Sequence, residues 1–229
     1  MALELSSFQL HDTPSVAPAV GVLTNLSPNH LDRYDSVEDY YGDKRLLFRN
    51  ATAGSVWVAN RDDASVRAML ADVAGHQHWF SLAGPADAWL DRDEGRLVVL
   101  GEPLLARTEL PMLGDHNVAN ALTAALAVML ADARHRTADA RSRIAATLRG
   151  AAPLAHRIEP VAETGGVTWI NDSKSTNVAS TQVALQGMTR PTILLLGGRH
   201  KGEPYTDLVP ELQRTVRQVV AYGEAADLI

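Results

Sequence analysis

The run Asn171-Asp172-Ser173-Lys174-Ser175-Thr176-Asn177 sets a carboxylate, an ammonium and three hydroxyls side by side. Such a mixture suits a nucleotide ribose, a phosphate and a carboxylate substrate in close quarters, since charge-assisted hydrogen bonds to anions are the strong ones. An elaborate helix cap is the plainer reading, but the mixture of groups favours a ligand. Gly197-Gly198-Arg199-His200-Lys201-Gly202 follows an apolar run; its glycines allow close backbone approach and Lys201 can meet an anion. Glu4, before Ser6 and Ser7, is a carboxylate at what reads as the carboxyl end of a strand, where open α/β sheets bind ligands and where Mg²⁺ finds hard oxygen ligands. His30 stands in a second strand-end loop and offers an imidazole to a metal. Asn117 and Asn120 lie one turn apart at the start of a helix, with amides for a base or phosphate; Asn117 alone also reads as an N-cap. Taken singly, His30 is a surface histidine, Lys44 a solvated helical lysine and Glu4 a solvated strand-end carboxylate. His76 and His78 share one strand face without a third ligand and read as surface residues.

The elements that must position these groups can be read from pattern. Ala2–Leu5 reads as the end of a strand, and Val20–Leu26 and 54–59 as further strands. Ser36 caps a helix from Val37 to about Asn50, and 62–73 carries Val66, Met69, Leu70 and Val73 at helical spacing. Residues 79–105 form strands with a hairpin at Asp93-Glu94-Gly95. A long helix follows to about Ala133, then a short one over 141–149. Gly150-Ala151-Ala152-Pro153 marks a domain boundary, giving units 1–153 and 154–229. In the second, 158–161 and 167–170 flank Gly165-Gly166 as a hairpin, 176–185 is helical, 192–196 (TILLL) is a fully buried strand, 205–217 is helical and 219–222 opens another strand. Strand–helix–strand order predicts an α/β fold with a parallel, doubly wound sheet.

Composition bounds the rest. The 229 residues suffice for one large or two small domains at ~100–200 residues each. A net charge of −6 argues against general adhesion to nucleic acid or an anionic membrane, while leaving room for a local cationic pocket. Zero cysteines exclude disulfides and thiolate metal sites. No basic stretch leading into an apolar run opens the chain, and the longest apolar stretch, 119–131, is too short to span a bilayer. A cytoplasmic location is expected.

Taken together these segments resemble the Mur ligase family. The likeness rests on Leu3-Glu4-Leu5-Ser6-Ser7-Phe8-Gln9-Leu10, on His30-Leu31-Asp32-Arg33-Tyr34 with Lys44 downstream, and on Gly114-Asp115-His116-Asn117-Val118-Ala119-Asn120-Ala121. It continues through His156-Arg157-Ile158-Glu159, the Asn171–Asn177 run and Leu196-Gly197-Gly198. The Asn-Asp-Ser-Lys-x-Thr-Asn pattern resembles the D-glutamate-adding branch; tripeptide-forming members carry an Asp-Asn-Pro-Arg-type run there.

The resemblance implies an incomplete central ATPase-type domain followed by an incomplete Rossmann-like domain. It implies an ATP- and Mg²⁺-dependent ligase joining D-glutamate to UDP-N-acetylmuramoyl-L-alanine through an acyl phosphate. By that likeness Glu4 and His30 are Mg²⁺ ligands, and Lys44 is the lysine that becomes carbamylated and supports the metal. Asn117, Asn120, His156, Arg157 and Asp172 match nucleotide contacts. Lys174, with Lys44 and His30, falls among the catalytic positions; Ser6, Thr176 and Lys201 fall on substrate positions.

The sequence also departs from the family. The spacing Gly-x-x-x-x-Gly-Lys-[Ser/Thr] occurs nowhere in the chain. By resemblance it lies upstream of Glu4, as does a UDP-holding domain, and further D-glutamate contacts lie beyond residue 229. Asn29 stands before His30 where the family more often has Asp. The 229-residue chain is therefore expected to have little ligase activity alone, and open sheet edges are expected to make it poorly soluble. Two other readings stay open: a non-catalytic nucleotide-binding remnant, and a folylpolyglutamate-type ligase.

Overall fold

The computed structural model describes residues 1–28, 33–152, 154–200 and 202–229. The chain divides into two compact units, Met1–Leu110 with Val118–Gly150, and Pro111–Asn117 with Ala151–Ile229.

The first unit is built on a six-stranded sheet in the order β1-β2-β3-β4-β5-β6. Its strands are β1 (Gly21–Leu23), β2 (Val56–Asn60), β3 (His76–Ser81), β4 (Ala88–Asp91), β5 (Arg96–Val99) and β6 (Glu102–Ala106). β1 to β4 run parallel, while β5 pairs antiparallel with β4 and β6 antiparallel with β5. β2 is buried on both faces at Trp57, Val58 and Ala59, as a strand inside a parallel sheet should be. β3 and β4 are parallel although only six residues join them. This works because they overlap at two register positions alone, Phe80 opposite Ala88 and Ser81 opposite Trp89, so the chain steps sideways instead of returning.

The core of this sheet forms around Trp57, 2% exposed, whose ring meets Phe48 edge-on at 4.8 Å and whose Nε1 donates to the Ala74 carbonyl at 2.8 Å. Leu23, Leu26, Ala59, Val66, Met69 and Leu70 complete the cluster. Gly21 has to be glycine: a Cβ there would stand 2.3 Å from the Trp57 ring. The helices of this unit are α1 (Ser7–Asp12), α2 (Val37–Arg45), α3 (Ala64–Leu70), most of α4 (Asp115–Ala131) and α5 (Ala138–Arg149). Asp63 caps α3, accepting from Ser65 N at 2.8 Å and Val66 N at 3.1 Å through one oxygen. Its other oxygen accepts from Leu26 N at 2.9 Å and so ties the exit of β1 to the start of α3.

The second unit holds a hairpin, β7 (Glu159–Thr164) with β8 (Val167–Asn171), and a two-stranded parallel sheet, β9 (Thr192–Gly197) with β10 (Val216–Tyr222). Its helices are α6 (Val178–Gln186) and α7 (Val209–Thr215).

Several expectations need correction. Residues 2–5 form no strand, since no strand among the described residues supplies a ladder for their backbone, and Glu4 sits in irregular chain before α1. The helix after Ser36 stops at Arg45 and tightens into a 3-10 turn over Leu46–Phe48. β9 is not fully buried: Ile193 and Leu195 are 61% and 59% exposed, because among the described residues no layer covers that face. The helix expected over 205–217 is a 3-10 turn followed by the short α7, with the ladder to β9 already begun at Val216. No helix among the described residues is long and apolar enough to cross a membrane.

Removing the Asp63 carboxylate takes away a helix cap and strands the Leu26 amide. We expect Asp63→Ala to lower stability by about 2 kcal/mol. Urea unfolding followed by tryptophan fluorescence measures this, and an unchanged midpoint would contradict it.

Candidate functional site

In the first unit, α1 opens with a reciprocal cap. Ser6 Oγ accepts from Gln9 N at 3.2 Å and donates to Gln9 Oε1 at 3.0 Å, while Ser6 N donates to the same oxygen at 2.9 Å. α2 is capped by Ser36, whose Oγ accepts from Asp39 N at 3.0 Å. One turn apart on α2 lie Tyr40, buried, and Lys44, half-buried, with Lys44 Nζ 5.0 Å from the Tyr40 ring centroid. Glu4, Leu5, Ser6, Ser7, Gln9, Tyr40 and Lys44 line one cleft of about 330 Å³. The structure thus brings together Glu4, Ser6 and Lys44, which the family resemblance grouped but the residues taken singly did not.

Burial pulls the Lys44 amine below its ordinary value, since desolvation disfavours the charged form. No carboxylate among the described residues forms an ion pair with it, and a cation over an aromatic face is a modest substitute. His30 lies outside the described residues. On another face of α2, Asp43 accepts from Tyr34 Oη at 2.9 Å and lies 2.9 Å from His11 Nδ1. Burial would raise the Asp43 carboxyl, but these two hydrogen bonds outweigh it and hold it below the usual range. The result is a brace between α1 and α2, the elements that flank the cleft.

In the second unit the Asn171–Asn177 run is a turn before α6, not its first turn; Asn177 is the N-cap, accepting from Ser180 N at 2.7 Å. The turn grips residues 156–158. Asp172 Oδ1 accepts from Ile158 N at 2.9 Å and Oδ2 from Ser175 Oγ at 2.5 Å, and Lys174 N donates to the His156 carbonyl at 3.0 Å. Glu159 Oε2 accepts from His156 N at 2.7 Å. His156 and Ile158 have φ of 65° and 45°, a strained region for a β-branched residue above all. Strain of this kind costs on the order of 1–3 kcal/mol per residue and persists only where surrounding bonds over-determine it, as these do. His156, Asp172 and Lys174 are thereby gathered in one place. The side chains of Arg157, Lys174 and Thr176 are exposed, and Lys201 lies outside the described residues.

Asn117 is not an N-cap. It lies inside α4, and its Nδ2 donates back to the Leu113 carbonyl at 2.7 Å; Asn120, one turn on, is exposed. Beside it is His116, to which sequence reading assigned no role. Gly114, at φ 82°, leaves room for that ring: a Cβ there would meet it at 2.6 Å. Burial lowers the His116 pKa, against Asp172 and Asp115, which push it up; its Nε2 is buried without a hydrogen-bond partner among the described residues.

Comparison with known proteins adds the lineage. Residues 1–128 match the Mur ligase middle domain. The chain belongs to the Mur ligase family. A UDP-N-acetylmuramoylalanine–D-glutamate ligase from Chromobacterium violaceum is 42% identical over 99% of this chain and 48% of its own length. One of the same name from Salinibacter ruber is 37% identical over the whole chain and 50% of its length. The chain spans about half the length of the curated relatives it matches. Solved Mur ligases share the fold. MurF from Acinetobacter baumannii superposes with a TM-score of 0.72 at 18% identity, covering 96% of this chain and 50% of that one. MurF from Thermotoga maritima, in complex with ADP, also gives 0.72 at 18%, covering 98% and 54%.

For a Mur ligase chain the basic residues are unevenly chosen: of 21 lysines and arginines only Lys44, Lys174 and Lys201 are lysine. Each falls in one of the chemistry-bearing segments, a compositional signal that motif reading alone passes over. The lowered Lys44 pKa has a direct consequence, because only the neutral amine is acylated. Mass spectrometry of acetylation against pH should put the Lys44 midpoint below the ordinary 10.5. A midpoint at or above that value would contradict the burial argument.

Proposed function

We propose that this chain forms the nucleotide-handling part, and the beginning of the amino-acid-handling part, of an ATP-dependent ligase. The ligase adds D-glutamate to UDP-N-acetylmuramoyl-L-alanine. The observation that carries this reading is the 42% identity, along nearly all of this chain, to a relative named for that reaction. The cleft that gathers Glu4, Ser6 and Lys44 supports it. In the proposed reaction the substrate carboxylate attacks the γ-phosphate of ATP and releases ADP. The D-glutamate amine then attacks the acyl phosphate and phosphate leaves.

Both steps crowd anions together, so cations and donors have to be arranged around them. Asn117, Asn120, His156, Arg157 and Asp172 are the proposed nucleotide-handling residues, with Asp172 acting through the turn it clamps. Lys174, Thr176 and Lys201 are proposed for D-glutamate and the reacting phosphate, and Ser6 for the UDP-linked substrate.

Among the described residues no three His, Asp or Glu side chains cluster as a metal cage. Mg²⁺ does not need one, since it commonly takes one or two carboxylates and fills its shell with water and phosphate. Glu4 fits that habit, no hydrogen bond within the described residues engaging its carboxylate. The half-buried Lys44, with its depressed pKa, fits a neutral amine that attacks carbon dioxide and loses a proton to give an anionic carbamate. Glu4, the Lys44 carbamate and His30 are the residues we assign to Mg²⁺, which when bound would neutralise phosphate charge. The use of ATP and a UDP-linked precursor supports a cytoplasmic location for the proposed reaction. Its product feeds peptidoglycan synthesis, and through it cell shape and division.

In the whole protein that carries this sequence, ADP release should depend on both D-glutamate and UDP-N-acetylmuramoyl-L-alanine. Lys44→Ala should lower kcat by about 10²-fold or more, the scale of losing one preorganised electrostatic group. Release that ignores D-glutamate, or that a folate acceptor supports equally, would refute the assignment.

A further inference from the structure

Asn171 carries an instruction for His156 that can be read atom by atom. Its side-chain amide lies between two partners: Oδ1 is 3.1 Å from Ser173 N, and Nδ2 is 2.8 Å from His156 Nδ1. A backbone N–H can only donate, so the atom facing Ser173 has to be the amide oxygen, and the amide cannot be flipped without losing that bond. The atom facing His156 is therefore the NH₂ group, which can only donate in turn. His156 Nδ1 must accept, so it carries no proton. In the neutral ring the proton then sits on Nε2, on the edge turned away from Asn171.

Among the described residues the one competitor for Nδ1 is the Glu159 carboxylate, which would favour the opposite arrangement by accepting from an Nδ1–H. It stands 4.0 Å from Nδ1, beyond hydrogen-bonding distance, and the same oxygen accepts the His156 backbone N–H at 2.7 Å. The backbone on both sides is pinned as well, by Lys174 N on the His156 carbonyl and by Asp172 on Ile158 N, which fixes the point from which the ring reaches Asn171.

We propose that Asn171 is a positioning residue that fixes His156 as the Nε2–H tautomer, so that this exposed side chain offers a donor to an acceptor atom of the ligand. The acceptor would be an oxygen or ring nitrogen of a nucleotide; that last clause rests on the nucleotide-handling role proposed above, whereas the tautomer does not.

The test uses protein labelled with ¹⁵N-histidine at a pH well above the ordinary histidine value of about 6.5, where imidazole is neutral. The His156 signals are assigned by their loss in His156→Gln. Two-bond ¹⁵N–¹H correlations in the wild type should show the proton on Nε2; a proton on Nδ1 overturns the proposal. This measurement needs no variant at Asn171, so a folding defect there cannot decide it. Asn171→Asp replaces the donor with an acceptor oxygen and should move the proton to Nδ1. ATP affinity, measured by calorimetry, should then fall about tenfold, roughly the worth of one good hydrogen bond. A proton that moves while ATP affinity stays unchanged would support the role of Asn171 and refute nucleotide contact by His156. A proton that stays on Nε2 in Asn171→Asp would overturn the role of Asn171.

Discussion

A backbone N–H that leaves its ladder where a strand ends has to find another acceptor, because an unpaired buried amide costs about 1–3 kcal/mol. In this chain short aspartate side chains meet that demand repeatedly. Asp63 takes the amide of Leu26 beyond β1 while capping α3. Asp62 takes Leu82 N and the Ser81 hydroxyl at the end of β3, and Asp87 takes Trp79 N just before it, so the six-residue step from β3 to β4 is held at both ends. Asp172 does the same for Ile158 N beside β8. Each carboxylate joins one element to the next within its unit, and the loops that carry the candidate chemistry take their shape from those bonds.

This use of polar groups divides the candidate residues into those already engaged and those still open. Both Asp172 oxygens accept hydrogen bonds, the Ser6 hydroxyl is closed into a cap with Gln9, and the Asn117 amide turns back on Leu113. A side chain so engaged acts on a ligand chiefly by fixing its neighbours. Among the described residues the groups with capacity left include the Glu4 carboxylate, the Lys44 amine, the Arg157 guanidinium, the Lys174 ammonium, the Thr176 hydroxyl and the outer edge of the His156 ring. They form two sets, one in each unit, and each set stands on a braced support: the α1–α2 pair held by His11, Asp43 and Tyr34, and the 156–158 turn held by residues 171–175.

Charge follows the same economy. The chain is acidic overall, yet its three lysines all occur in candidate segments, while 18 arginines carry the rest of the positive charge. Arginine keeps its charge wherever it is placed, whereas a lysine amine can be shifted by burial, and Lys44 shows that shift. Partial burial moves Lys44 in the direction of the neutral amine that the proposed carbamate would need.

Much of this was legible in the residues. Ser36 announced α2, the long helix expected to about Ala133 is α4, and Asp93-Glu94-Gly95 announced the β4–β5 hairpin. Those signals are local, resting on propensity, capping and periodicity over a few residues. What stayed hidden depends on partners distant in sequence. Residues 2–5 look like a strand but find no ladder, and Ile193 and Leu195 look like core but find no covering layer. Nothing local marks His156 and Ile158 for positive φ, or Asn171 as the residue that sets the His156 proton fifteen positions away. Sequence alone determined which chemical groups are present and in what order. Tertiary structure decided which of them are spent on the backbone and which remain for a ligand, because a hydrogen bond is settled by distances of about 3 Å that only the folded chain brings into being.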